Sequence, residues 1–111
     1  MEIQTTVEPG NLYILEIRGA IDGSTAAELR DAIVETAQPD RKLLLDMNGV
    51  NFMSSAGLRV MLLLHRQLQQ SKCRVVLVGL LEPIYDAMEA TGFLRYFDTA
   101  PDIPTGRRML E

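Results

Sequence analysis

Two short apolar runs constrain this chain most: Lys42-Leu43-Leu44-Leu45-Asp46-Met47 and Arg74-Val75-Val76-Leu77-Val78. Each is too short for a buried helix and shows no apolar–polar alternation. A strand covered on both faces has that pattern, and such strands belong to sheets packed by helices. The segment between the runs has helical spacing, with Leu58, Met61, Leu62, His65 and Leu68 or Gln69 on one face from about Ser55 to Gln70. A strand, a helix and a second buried strand form a crossover unit, so the two strands should be parallel.

The rest of the chain fills in around that unit. Ile3 to Val7 reads as a first strand, Pro9-Gly10 as a turn, and Leu12 to Arg18 as a second strand ended by Gly19. Pro pre-sets φ at the second turn position and Gly accepts the positive φ that follows. A hairpin of these strands would sit at one sheet edge. Ser24 or Thr25 can cap a helix whose inner face is Ala26, Leu29, Ala32, Ile33, Thr36 and Ala37, stopped by Pro39-Asp40. Glu82-Pro83 fits the first turn of a third helix with Ile84, Ala87, Met88 and Thr91 inside and Gly92 as its stop. Phe93 to Thr99 reads as a short last strand, and Thr105 to Leu110 as a final helical turn or two. The expected fold is α/β: a mixed, mostly parallel sheet of four to five strands with an N-terminal hairpin and about four helices. Residues 1–111 are expected to form one domain, with no repeat or linker evident.

Composition excludes several function classes. The formal net charge is -4, and Arg107-Arg108 is the only basic cluster, so no nucleic-acid face is expected. One cysteine, Cys73, allows no internal disulfide, and with only a single histidine, His65, as well, no protein-built zinc site is expected. Met1-Glu2-Ile3-Gln4 lacks the apolar stretch of a signal peptide, and no apolar run approaches a membrane span, so a cytoplasmic setting is expected.

The segment Asn51-Phe52-Met53-Ser54-Ser55-Ala56-Gly57-Leu58 then raises a question. The buried strand Leu43 to Asp46 leads through a loop, Asn48 to Met53, into a helix that opens on two serines, an alanine and a glycine. A capping hydroxyl is worth about 1 kcal/mol and explains one serine. It does not explain Ala56 and Gly57, since Gly costs about 1 kcal/mol against Ala within a helix. The position also lies at the carboxyl end of the sheet, where open α/β folds place their sites, at a helix start that favours negative charge.

Phe52-Met53-Ser54-Ser55-Ala56-Gly57-Leu58-Arg59-Val60-Met61-Leu62 resembles the signature of the STAS domain, in particular the bacterial anti-sigma-factor antagonists. Gly19-Ala20-Ile21-Asp22, Leu43-Leu44-Leu45-Asp46, Val76-Leu77-Val78-Gly79 and Thr91-Gly92-Phe93 extend the resemblance over nearly the whole chain. Aligned on Gly57-Leu58, the family's phosphoacceptor falls on Ser55, with Ser54 as second choice. The usual acidic residue falls on Ser54, a departure from the pattern. The resemblance implies a substrate and binding module rather than an enzyme, a monomer or weak dimer acting in transcription regulation such as a stress response. Its partners would be an anti-sigma factor that is a GHKL-type serine kinase and a PP2C-type phosphatase, with no cofactor. Asp22, Met53, Ser54, Ser55, Ala56, Gly57 and Arg59 are the expected partner-binding residues, with Met53 exposed. Asp22 could bond a serine hydroxyl, meet the partner, or serve as a loop or cap carboxylate before Ser24.

A serine hydrolase needs a base near its nucleophile, but His65 lies ten residues further along the helix, roughly 15 Å away. The chain has no Walker sequence and no Gly-x-Gly-x-x-Gly. A ligand- or nucleotide-sensing domain or a scaffold without a phosphoswitch is the alternative.

Overall fold

Alternation along the buried strands decides the layering. The computed structural model describes residues 1–111. It orders β1 (Glu2–Glu8), β2 (Leu12–Ile21), α1 (Ala26–Thr36), β3 (Lys42–Met53), α2 (Ser55–Gln70), β4 (Arg74–Val78), α3 (Glu82–Ala90), β5 (Asp98–Ala100) and α4 (Ile103–Met109). Leu15, Ile17, Leu43, Leu45, Met47 and Leu77 point to one face of the sheet and form the larger core. Leu12, Ile14, Leu44, Val76 and Val78 point to the other. The larger core is completed by Leu29 and Ile33 of α1, Met61, Leu64 and Leu68 of α2, and Ile84 and Met88 of α3. The smaller is closed by Leu110 and Ile103 at the two ends of α4.

The sheet has five strands in the order β1-β2-β3-β4-β5. β1 is antiparallel to β2, and every other neighbouring pair is parallel. Sequential parallel strands joined by crossovers of one hand place all their helices on the same face. That is why α1, α2 and α3 share one core and the C-terminal α4 must serve the other. Gly10 has φ +84°, as the hairpin turn requires. Arg107 holds Glu8 through two charged hydrogen bonds of 2.9 and 2.7 Å, tying α4 to that hairpin.

The expected architecture holds, with local differences. β2 does not end at Gly19, and Asn48 to Met53 is not a loop. Pairing of β3 with β4 stops at Asp46–Val78, while β2 and β3 continue together from Arg18–Gly49 to Ile21–Met53. Two register shifts, between Glu16 and Arg18 and between Gly19 and Ala20, let the turn-forming residues sit within the ladder. The inner face of α2 includes Gly57 and Leu64, while Leu62 and His65 are only half-buried. Between α3 and β5 the chain forms a 3-10 turn at Leu94–Tyr96, so the last strand is confined to Asp98–Ala100. The final helix starts at Ile103 because the Asp102 carboxylate accepts the Thr105 N–H at 2.8 Å. No helix is long and apolar enough to cross a membrane.

Leu77 is wholly buried at the centre of the larger core. Leu77→Ala should lower the unfolding free energy by about 3 kcal/mol in urea denaturation. Phe52→Ala, at a half-exposed rim position, should change it by less than about 0.5 kcal/mol.

Candidate functional site

The extension of β2 and β3 beyond the other strands builds a rim. Ser54 leaves β3 in an extended conformation and its N–H donates to the Ile21 carbonyl at 2.9 Å, so the ladder pins the residue that begins the helix. The Ser54 hydroxyl accepts the Gly57 N–H at 3.2 Å, and its carbonyl accepts the Leu58 N–H at 2.9 Å. Ser54 is therefore the cap of α2, half-buried and already engaged. Ser55 is the first helical residue; it is exposed, and its hydroxyl has no protein partner.

Gly57 has a packing explanation that sequence spacing did not supply. A Cβ at this position would stand 2.6 Å from the Ile21 carbonyl oxygen and 2.9 Å from the Ile21 Cγ2. The helix start lies so close to the end of β2 that only glycine fits. Gly57 is thus buried beneath the rim and offers no side chain to a partner. Ala56 is half-buried, and Arg59, one turn beyond Ser55, is exposed.

Met53 does not take the exposed, partner-binding position expected from the sequence; Phe52, for which no site role is expected, is the exposed residue. Met53 is only 7% exposed and belongs to the larger core, whereas Phe52 is 53% exposed. The cause is the second register shift: Gly19 pairs with Val50 and Ala20 with Phe52, leaving Asn51 as an extra residue. That residue breaks the two-residue alternation, so Val50 and Met53 both turn inward and Phe52 turns out. Phe52 is the exposed rim residue that sequence spacing does not single out; the nearest sequence signal is Gly19, which lies at that second shift with φ +115°.

Asp22 stands at the end of β2, beside Ile21, on the same rim. Its Oδ1 accepts the Ser24 hydroxyl at 2.7 Å and the Ser24 and Thr25 N–H groups at 2.8 and 3.2 Å. These bonds, led by the Ser24 hydroxyl, hold its carboxyl below the usual aspartate range. The Thr25 hydroxyl accepts the Asp22 N–H at 3.0 Å and donates to the Ala20 carbonyl at 2.8 Å. Asp22 thus caps the approach to α1 and bonds neither Ser54 nor Ser55.

The remaining chemistry-bearing residues lie elsewhere. His65 packs against Tyr96 and Phe97, with ring centroids 5.5 and 5.3 Å away, and bonds neither serine. Burial pushes the Cys73 thiol up to about 11, so it stays protonated at neutral pH. No group of three His, Cys, Asp or Glu residues is placed to hold a metal ion. A separate groove of about 540 Å³, lined by residues including Asn48, Gly79, Leu81 and Tyr85, does not include the serines.

Comparison with known proteins agrees with this arrangement. The STAS domain family matches residues 2–106. The anti-sigma-F factor antagonist RsfB of Mycobacterium tuberculosis is 34% identical over 108 residues, spanning 94% of this chain and 88% of RsfB. BtrV of Bordetella bronchiseptica, described as a candidate anti-sigma factor antagonist, is 32% identical over 90 residues, 80% of this chain and 78% of BtrV. The anti-sigma factor antagonist SpoIIAA of Bacillus superimposes in its unphosphorylated form with a TM-score of 0.76 at 16% identity, over 98% of this chain and 96% of SpoIIAA. Its phosphorylated form does so with a TM-score of 0.68 at 15% identity, over 97% and 99%.

The two serines should separate in denaturation experiments. Ser54→Ala should lose about 1 kcal/mol with the cap, whereas Ser55→Ala should stay within about 0.5 kcal/mol of the parent. Gly57→Ala should cost about 2 kcal/mol or more, because a backbone oxygen must move. The lowered Asp22 pKa implies stability that is present above the unfolded aspartate value of 3.8 and lost as pH falls through the lower folded value. An NMR titration should therefore place the Asp22 midpoint below that of an ordinary aspartate, and Ser24→Ala should raise it.

Proposed function

The chain belongs to the STAS domain family and to its anti-sigma factor antagonists, and from that premise we propose a phosphorylation-controlled antagonist switched at Ser55. In its unmodified form the protein binds an anti-sigma factor through the rim formed by Asp22, Phe52, Ser54, Ser55, Ala56 and Arg59, and a sigma factor is released. The anti-sigma factor is also a GHKL-type serine kinase, which transfers the γ-phosphoryl group of ATP to the Ser55 hydroxyl and leaves ADP. A PP2C-type phosphatase hydrolyses the phosphoester and restores the binding form. The chain is the substrate and binding module of this cycle, acts in the cytoplasm, and supplies no catalytic group.

The observation that carries this reading is the division of labour between adjacent serines. Ser54 is committed to capping α2, while the Ser55 hydroxyl is exposed and free. A phosphate on Ser54 would first have to break the cap. A phosphate on Ser55 stays in water at a helix start that favours negative charge. The fold should survive it, and SpoIIAA adopts this same fold in both its unphosphorylated and phosphorylated forms. A partner seated on the rim meets about two new negative charges that it must desolvate. A loss of about 3 kcal/mol lowers affinity roughly a hundredfold, enough to exchange partners.

Peptide mass spectrometry after incubation with ATP and lysate of the source cell tests the site. A single phosphate should appear on the parent and on Ser54→Ala, and none on Ser55→Ala. Modification that persists in Ser55→Ala and vanishes in Ser54→Ala contradicts the assignment. Titration calorimetry against the purified anti-sigma factor should show Ser55→Ala binding like the parent and the phosphorylated chain binding roughly a hundredfold more weakly.

A further inference from the structure

We propose that Arg59 is a built-in counter-ion for a phosphate on Ser55, so that modification captures this guanidinium within α2; the inference rests on the phosphoswitch above. Ser55 and Arg59 are four residues apart on the same exposed face of one helix. That spacing places their Cβ atoms about 5–6 Å apart, within reach of an arginine fork closing on phosphate oxygens.

Arg59 is free to make this contact. The ion pairs of the protein join Arg18 to Glu16, Arg30 to Asp31 and Arg107 to Glu8, and none involves Arg59. α2 contains no aspartate or glutamate from Ser55 to Gln70, so no carboxylate on the helix competes for the guanidinium. The residue before the phosphoacceptor is Ser54, a neutral cap, where an acid would repel the phosphate. On the adjoining β2–α1 loop the charged group is Asp22, and its Oδ1 is engaged by Ser24 and Thr25. Arg66, two turns beyond Arg59 on the exposed side, is too far along the helix to reach the same phosphate.

Capture changes what the rim presents. The unmodified chain offers a free cation one turn above an uncharged hydroxyl. The modified chain offers a partly neutralised phosphate and no free cation on that face. Phosphorylation therefore withdraws a contact as well as adding a charge.

The test uses the whole chain carrying phosphoserine incorporated at position 55 during translation, titrated by phosphorus-31 NMR at low ionic strength. A nearby cation favours the dianion and lowers the second pKa of the phosphate, ordinarily about 6. Arg59→Ala should raise that pKa by about half a unit, while Arg66→Ala should leave it within about 0.1 unit of the parent. Equal values for the parent and Arg59→Ala overturn the proposal. So do equal rises in both variants, which would report only the net charge of the helix. The titration needs neither kinase nor partner, so its failure removes the counter-ion and leaves the phosphoswitch standing. A Ser55 that no cellular kinase modifies removes the switch without altering the titration.

Discussion

The close approach of α2 to the end of β2 governs the rest of the site. The Ser54 N–H bonds the Ile21 carbonyl, and Gly57 lies so near the same carbonyl that a methyl group would stand 2.6 Å from it. This contact exists because β2 and β3 pair beyond the point where β4 ends. It puts Asp22, which follows Ile21, and Ser54, which follows Met53, on one rim, although they are far apart in sequence. Without a glycine at 57 the helix start would lift away from that rim.

The same contact divides the work of the two serines. Because Ser54 is held by the ladder, its hydroxyl points back to the helix and meets the Gly57 N–H. The next residue is turned into solvent by the helix itself. One serine secures the fold and the other is left chemically available. Under the proposed switch, a charge added to the second breaks no bond that holds the first. The exposed Phe52 beside them provides apolar area of the kind that anchors protein interfaces.

The fold was legible where the signals were strong and local. Leu43 to Met47 and Val75 to Val78 have the pattern of buried strands, and Pro83 and Gly92 mark the ends of α3. The differences around the rim share one origin. Asn48-Gly49 and Gly19 carry turn chemistry, yet they lie in a bulged ladder whose irregularity depends on two strands meeting. No local pattern encodes that pairing, so sequence alone shortens both strands, puts Met53 outside and gives Phe52 no role. Gly57 is anomalous for a helix start in the sequence itself, but its reason, the Ile21 carbonyl, is a contact between distant residues. Ser54 and Ser55 are equivalent cap candidates in sequence, and the bond from the Gly57 N–H to the Ser54 hydroxyl separates them.

The most direct test of the account is a comparison of amide NMR spectra of the chain with and without a phosphate on Ser55. If modification acts on the interface and leaves the fold intact, shifts will be confined to the rim, residues 20–25 and 51–60, with the sheet and the cores around Leu44 and Leu77 unchanged. Shift changes throughout β3, β4 and α3, or loss of dispersion, would show that the phosphate rearranges the fold and would contradict the central claim.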